Sequence, residues 1–242
     1  MVTVVLNGYK RGQHLAQQLE AVKKQTLRPK EIMLWQNAGE DFDPQIAGKT
    51  TWASCNKNFG VWARFAYALN AKTEYICVFD DDTIPGKRWL ENCYETIQKH
   101  EGLLGTIGVV YQTPNSYHPM DRVGWAEPNE KTERVDIVGH AWFFKREWLS
   151  TFWRELPEED HPMIVGEDMH FSVMLQKYLG LNTYVPPHPK DNKELWGSLP
   201  DTAWRIGQDD AALSMNMDNV ELMSQQLRKY TSNGFKIINN KK

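Results

Sequence analysis

The chain has 242 residues, of which 41% are hydrophobic and 24% charged, a globular composition with enough length to bury a large core. Its formal net charge of −3 provides no basic field to collect nucleic acid, so a polyanionic ligand has to be held locally, by a metal ion or by helix N-termini. Ten tryptophans suit a core, and they also suit a carbohydrate site, where a flat ring covers a sugar face. Cys55, Cys77 and Cys93 form no CxxC pair and read as reduced, small buried hydrophobes. No apolar run approaches the roughly 20 residues of a transmembrane helix. Met1 leads straight into a strand-like run rather than a signal peptide, so the expectation is a soluble, cytoplasmic protein.

Residues 2–6 are a β-branched run that stops at the turn pair Asn7-Gly8, which predicts a buried first strand. Leu15, Leu19 and Val22 recur at helical spacing within 13–25. After Pro29, residues 31–35 read as a second strand that ends at Gln36-Asn37. A helix is expected over 58–71, opened by Phe59-Gly60, and a third strand over 75–79 runs directly into three aspartates. Strands alternating with helices predict a mainly parallel, doubly wound sheet. In the second half, 105–111 and 135–144 are strand-like, separated by a polar, Pro-containing stretch over 113–131. An acidic loop covers 157–162. Residues 168–179 read as a helix with Phe171, Leu175 and Leu179 on one face, followed by Pro186-Pro-His-Pro189. The tail over 220–242 is polar, with a helical start and a frayed end. No repeat or linker interrupts the chain. A single domain is expected, with a nucleotide-binding half over 1–104 and an acceptor-binding half over 105–200.

Asp80-Asp81-Asp82 is the most informative segment. Three adjacent carboxylates repel one another, and nothing local in the sequence compensates them. Placed after a buried strand, they fall at the carboxyl end of the sheet, where open α/β folds bind ligands. Such hard oxygen ligands suit Mg²⁺ or Mn²⁺. Taken alone, the triplet also reads as a solvated acidic turn, helped by Pro85-Gly86; its position after the strand favours the metal.

The order of features resembles the GT-A glycosyltransferases, particularly family 2, with some likeness to exostosin-type enzymes. The resemblance spans residues 2–190 and rests on five motifs: Leu6-Asn-Gly-Tyr9-Lys-Arg11, Trp35-Gln36-Asn37, Asn58-Phe-Gly60-Val-Trp-Ala63-Arg64, the DXD-like Asp80-Asp81-Asp82, and Gly166-Glu167-Asp168. It implies a GT-A-like central sheet flanked by helices. It also implies a Mn²⁺- or Mg²⁺-dependent transfer of a hexose-type sugar from a nucleotide diphosphate, UDP by family prior, to a hydroxyl of a glycan or glycoprotein acceptor.

By the same resemblance, Asn7, Tyr9 and Arg11 would line the base pocket with Gln36 and Asn37 nearby, and Arg64 would approach the diphosphate or the base. Asp80 would contact ribose or sugar hydroxyls, with Asp81 counted among the donor-binding residues. Asp82 would hold the metal with Asp80, and His188 would be a further ligand. Asp168, paired with Glu167, would take the proton from the acceptor in an inverting enzyme, as suits a carboxylate at a helix N-terminus. Each residue also has a plainer reading. Arg64 can be a surface helix arginine, Tyr9 a core residue, Glu167-Asp168 ordinary helix-start acids, and His188 an exposed loop residue. His140 falls on the acceptor side, and Trp142 either stacks on a sugar or belongs to a buried strand. The 113–131 stretch, with Tyr117, His118 and Trp125, is expected to govern acceptor choice.

Rival readings fit less well. A haloacid-dehalogenase phosphatase carries its paired aspartates on the first strand and has Thr or Val where Ile84 stands. A nucleotidyltransferase needs a Gly-rich phosphate loop after the first strand, and Asn7-Gly8-Tyr9 is too poor in glycine. A non-catalytic glycan-binding protein of transferase-like fold explains the tryptophans, but not three aspartates after a strand.

Overall fold

Nine strands build one mixed sheet in the computed structural model, which describes residues 1–38, 44–48, 50–124, 127–157, 163–199, 207, 213 and 216–239. In chain order the strands are β1 Val2–Gly8, β2 Glu31–Gln36, β3 Thr51–Ser54, β4 Tyr75–Phe79, β5 Gly102–Tyr111, β6 Met120–Gly124, β7 Glu133–Val135, β8 Ile137–Lys145 and β9 Asn182–Val185. They lie in the order β3-β2-β1-β4-β8-β5-β9-β7, with β6 paired to β5. The α-helices are α1 Leu15–Lys23, α2 Pro44–Ala47, α3 Ala63–Ala68, α4 Trp89–Lys99, α5 Leu149–Phe152, α6 Glu167–Leu179 and α7 Met217–Ser232.

The N-terminal strands β3, β2, β1 and β4 are all parallel, as the βα alternation predicts. All five residues of β4 are buried, because helices cover both faces of a parallel sheet. Parallel pairing stops at β8, which joins β4 antiparallel and pairs antiparallel with β5. The sheet is therefore parallel from β3 to β4 and mixed beyond it. Antiparallel entry sets Ala141 opposite Phe79, so the Asp80 amide donates to the His140 carbonyl at 2.9 Å. That register carries His140 to the acidic motif.

Several elements depart from the sequence expectation. The helix expected over 58–71 contracts to α3. Gly60 is left-handed (φ +70°), and a Cβ there would stand 2.0 Å from the Met163 carbonyl oxygen, so this backbone meets another chain segment instead of coiling. The run over 135–144 is divided at Asp136. Its carboxylate leaves the strand pattern to accept the Tyr111 and Ile238 amides at 2.8 and 2.7 Å. The second of these bonds also corrects the frayed tail: Phe235 and Ile237 are buried with Met169, Val173, Met174 and Leu227 in a second core cluster. The main cluster takes in Cys77 and Cys93, whose thiols burial pushes up. Cys55 is half-buried, and all three cysteines are free.

Candidate active site at the carboxyl ends of β1, β2 and β4

A cleft of about 420 Å³ opens where β1, β2 and β4 end. β1 delivers Asn7, Tyr9 and Arg11 to its wall, β2 delivers Asn37, and β4 delivers the three aspartates; Arg64 comes from α3, and Glu167 and Asp168 from α6. Gln36 is buried, and its side chain does not line the cleft. Asn37 is engaged with the backbone beside it. Its amide donates to Asn58 Oδ1 at 2.7 Å, and its Oδ1 accepts the Phe59 amide at 2.8 Å, fixing the Asn58–Gly60 turn.

The compensation absent from the local sequence arrives through the fold. Arg11 Nη1 pairs with Asp81 Oδ1 at 2.9 Å and with Asp82 Oδ2 at 3.1 Å, while the Tyr9 amide donates to Asp81 Oδ2 at 3.2 Å. Arg64 is only 2% exposed, so it is no surface residue. It bridges Asp80 and Glu167, the latter at 2.6 Å, with its guanidinium 4.5 Å from the Trp142 ring centroid. Trp142 is a buried residue of β8 that donates through Nε1 to the Val138 carbonyl, and its ring forms part of the cleft wall.

These surroundings split the carboxylates. Burial lifts Asp81 to about 6 against the pull of Arg11. Burial would also lift Asp82, but His140 and Arg11 outweigh it and hold Asp82 down to about 2. His140 Nδ1 lies 3.7 Å from Asp82 Oδ1, and although burial lowers its pKa, Asp82 leaves it raised. Burial raises Glu167 to about 8, although Arg64 beside it pulls the other way. Asp168 is half-buried at the start of α6; burial lifts it to about 6, and the Met169 amide, donating at 2.6 Å, opposes the rise.

Asp80, Asp82 and His140 offer ligand atoms that all lie within 4.8 Å of one another. Two carboxylates and an imidazole suit Mn²⁺ or Mg²⁺, so the donor set fits the cation expected from the sequence. His188 does not join it. That ring is fully buried between Trp89 and Trp196, with Nδ1 2.8 Å from the Pro186 carbonyl and Nε2 3.0 Å from Thr106 Oγ1, and burial lowers it to about 4. The His that reaches the motif is His140, whose backbone is left-handed (φ +63°), a strained conformation of the kind that collects at functional sites. Its position depends on antiparallel register between distant strands, and no local pattern carries that. Trp125 lies outside the described residues; Tyr117 lines the cleft with Met120 and Arg122.

The family model described as Glycosyl transferase family 2 matches residues 3–159. The chain belongs to glycosyl transferase family 2. No curated protein matches it. Among solved structures, S. aureus TarS 1-349 in complex with UDP aligns over 97% of this chain and 71% of its own at TM-score 0.54 and 16% identity. The UDP-GlcNAc complex of the same protein aligns over 97% and 72%, again at TM-score 0.54 and 16% identity. The chain spans 60% of another TarS 1-349 structure and 36% of the longer TarS chain. At such identity the likeness is one of fold, and the fold is GT-A. The family-2 match takes in the acidic motif and His140 and ends before α6, which carries Glu167 and Asp168. Among the described residues, no helix of this family-2 chain is long and apolar enough to cross a membrane.

Proposed function

We propose that the chain is a metal-dependent glycosyltransferase that moves a hexose from a nucleotide diphosphate, most simply UDP, to a hydroxyl of a glycan acceptor. The observation that carries this reading is the grouping of Asp80, Asp82 and His140 within 4.8 Å in the cleft that also holds Asp168. Family-2 membership and the UDP and UDP-GlcNAc complexes of TarS support the donor class.

A divalent cation held by Asp80, Asp82 and His140 would neutralise the charge that builds on the departing diphosphate. Asp168 is the base. Its carboxylate accepts the acceptor's hydroxyl proton as that oxygen bonds to the anomeric carbon and the bond from that carbon to the diphosphate breaks. A carboxyl lifted to about 6 is ionised at neutral pH yet more basic than an exposed aspartate. Glu167, turned onto Arg64, orients rather than reacts: the Arg64 bridge ties the α6 turn to Asp80. Arg11 keeps Asp81 and Asp82 ionised side by side.

The test is calorimetric titration of UDP with Mn²⁺ and then with EDTA, repeated on Asp82→Ala. Binding that needs the metal and disappears in the variant is expected. If UDP, GDP and dTDP all fail to bind with Mn²⁺ present, the transferase reading fails.

A further inference from the structure

α6 and α7 both lie C-terminal to the residues that the family model matches, yet α7 grips the turn that presents Asp168. Gly166 precedes Glu167 in a left-handed conformation (φ +84°), so α6 is entered through a sharp turn with no side-chain cap. Gln226 on α7 braces that turn from its carbonyl side. Its Nε2 donates to the Gly166 carbonyl at 3.1 Å, and its amide packs so closely on the glycine that an added Cβ would stand 1.8 Å from Gln226 Oε1.

A second brace lies one turn along each helix. The Tyr230 hydroxyl meets His170 Nδ1 at 2.6 Å, and His170 Nε2 meets the Phe152 carbonyl at 2.8 Å, while the His170 amide donates to the same Gly166 oxygen at 2.9 Å. The Gln226–Gly166 and His170–Phe152 contacts are buried and the Tyr230–His170 contact is part-buried, and polar networks in such surroundings rigidify what they join. α7 also holds the acceptor-side loop: the Tyr117 amide donates to Ser224 Oγ, and Arg228 and Thr231 donate to the carbonyls of Asn115 and Pro114.

We propose that Gln226 is a positioning residue, which holds the Gly166 turn from α7 and thereby fixes the Asp168 carboxylate in the cleft. The proposal rests on the reading of Asp168 as base, and it adds that Gln226, which does not line the cleft, acts on the base from α7. A misplacement of a base by about 1 Å is enough to cost on the order of a hundredfold in rate.

The experiment compares wild type with Gln226→Ala, the volume-keeping Gln226→Met, and Tyr230→Phe. Three readouts are taken: amide hydrogen exchange over residues 164–170, UDP affinity with Mn²⁺, and Mn²⁺-dependent hydrolysis of UDP-GlcNAc. Both Gln226 variants should speed exchange over 164–170 at least tenfold and lower kcat at least tenfold, with the UDP Kd within twofold of wild type. Tyr230→Phe should show the same pattern more weakly, and it carries the test if the Gln226 variants do not fold. Unchanged exchange over 164–170 overturns the proposal, as does a loss of UDP affinity that parallels the loss of rate. A wild type that binds none of UDP, GDP and dTDP sinks the transferase reading instead, and the exchange rates still decide the Gln226 contact.

Discussion

Asp168 and Asp82 are two carboxyls in one cleft, and burial penalises both, yet they shift in opposite directions because only Asp82 has His140 and Arg11 against it. That opposition fits the proposed roles: the ionised Asp82 suits a cation, and Asp168, lifted to about 6, suits a proton acceptor. Asp168 must be deprotonated to work, so kcat should rise with pH through a limb near 6 and level off above it. Asp168→Asn should lower kcat by about a hundredfold or more and remove that limb while UDP still binds, by the usual worth of a general base. A limb that survives in the variant would assign it to another group. The acidic motif was legible at this scale, because a strand running into three aspartates is a local pattern. Its counter-ions were not. Arg11 stands about 70 positions from Asp81, and nothing in Leu6-Asn-Gly-Tyr9-Lys-Arg11 says that the arginine turns back onto the triplet instead of outward to a base.

At the level of elements, β1, β2, β4 and α1 follow from apolar periodicity and fall within a residue or two of their expected bounds, whereas α3 is shorter than expected and β3, α2 and α4 are not among the predicted elements. The second half is harder to read, because its short strands β6, β7 and β9 get their order from pairing rather than from pattern. His188 illustrates the cost: prolines on both sides suggest an exposed loop, but Trp89 and Trp196 close over the ring, and a buried, doubly bonded imidazole is no metal ligand. Asp136 is the complementary case, an acid that looks like a break in a strand and works as a clip. It joins β5 to the segment after α7 through the Tyr111 and Ile238 amides, and burial lifts it to about 6 although both bonds favour the anion. Asp136→Ala leaves the buried Tyr111 amide unpaired and frees the tail, so a loss of about 2–3 kcal/mol is expected in urea unfolding. A loss below about 1 kcal/mol would mean that the tail is held by Phe235 and Ile237 alone.

Taken whole, the molecule concentrates most of its electrostatic cost in the cleft. Burial lifts Asp81 and Asp168 there, and Asp136 beside the tail, to about 6, and Glu167 to about 8, so the folded chain holds protons that the unfolded chain has already lost. From about pH 4 up to about 8 the folded state therefore binds more protons, most of them released by about 6 and that of Glu167 last, and the stability of the metal-free protein falls as pH rises through that window. A divalent cation at Asp80, Asp82 and His140 works in the opposite direction, because it binds the folded state alone and offsets the crowded charge. At pH 7.5, Mn²⁺ at about a hundred times its Kd should raise Tm by roughly 5–10 °C, from about 2.7 kcal/mol of linkage in a chain of this size. The increment should shrink at pH 5. His140 has a raised pKa, so it carries a proton there and must release it before it can bind metal. Asp82→Ala should abolish the increment at both pH values. An increment equal at pH 5 and 7.5 would remove His140 from the ligand set and leave the two aspartates to hold the cation with the donor phosphates.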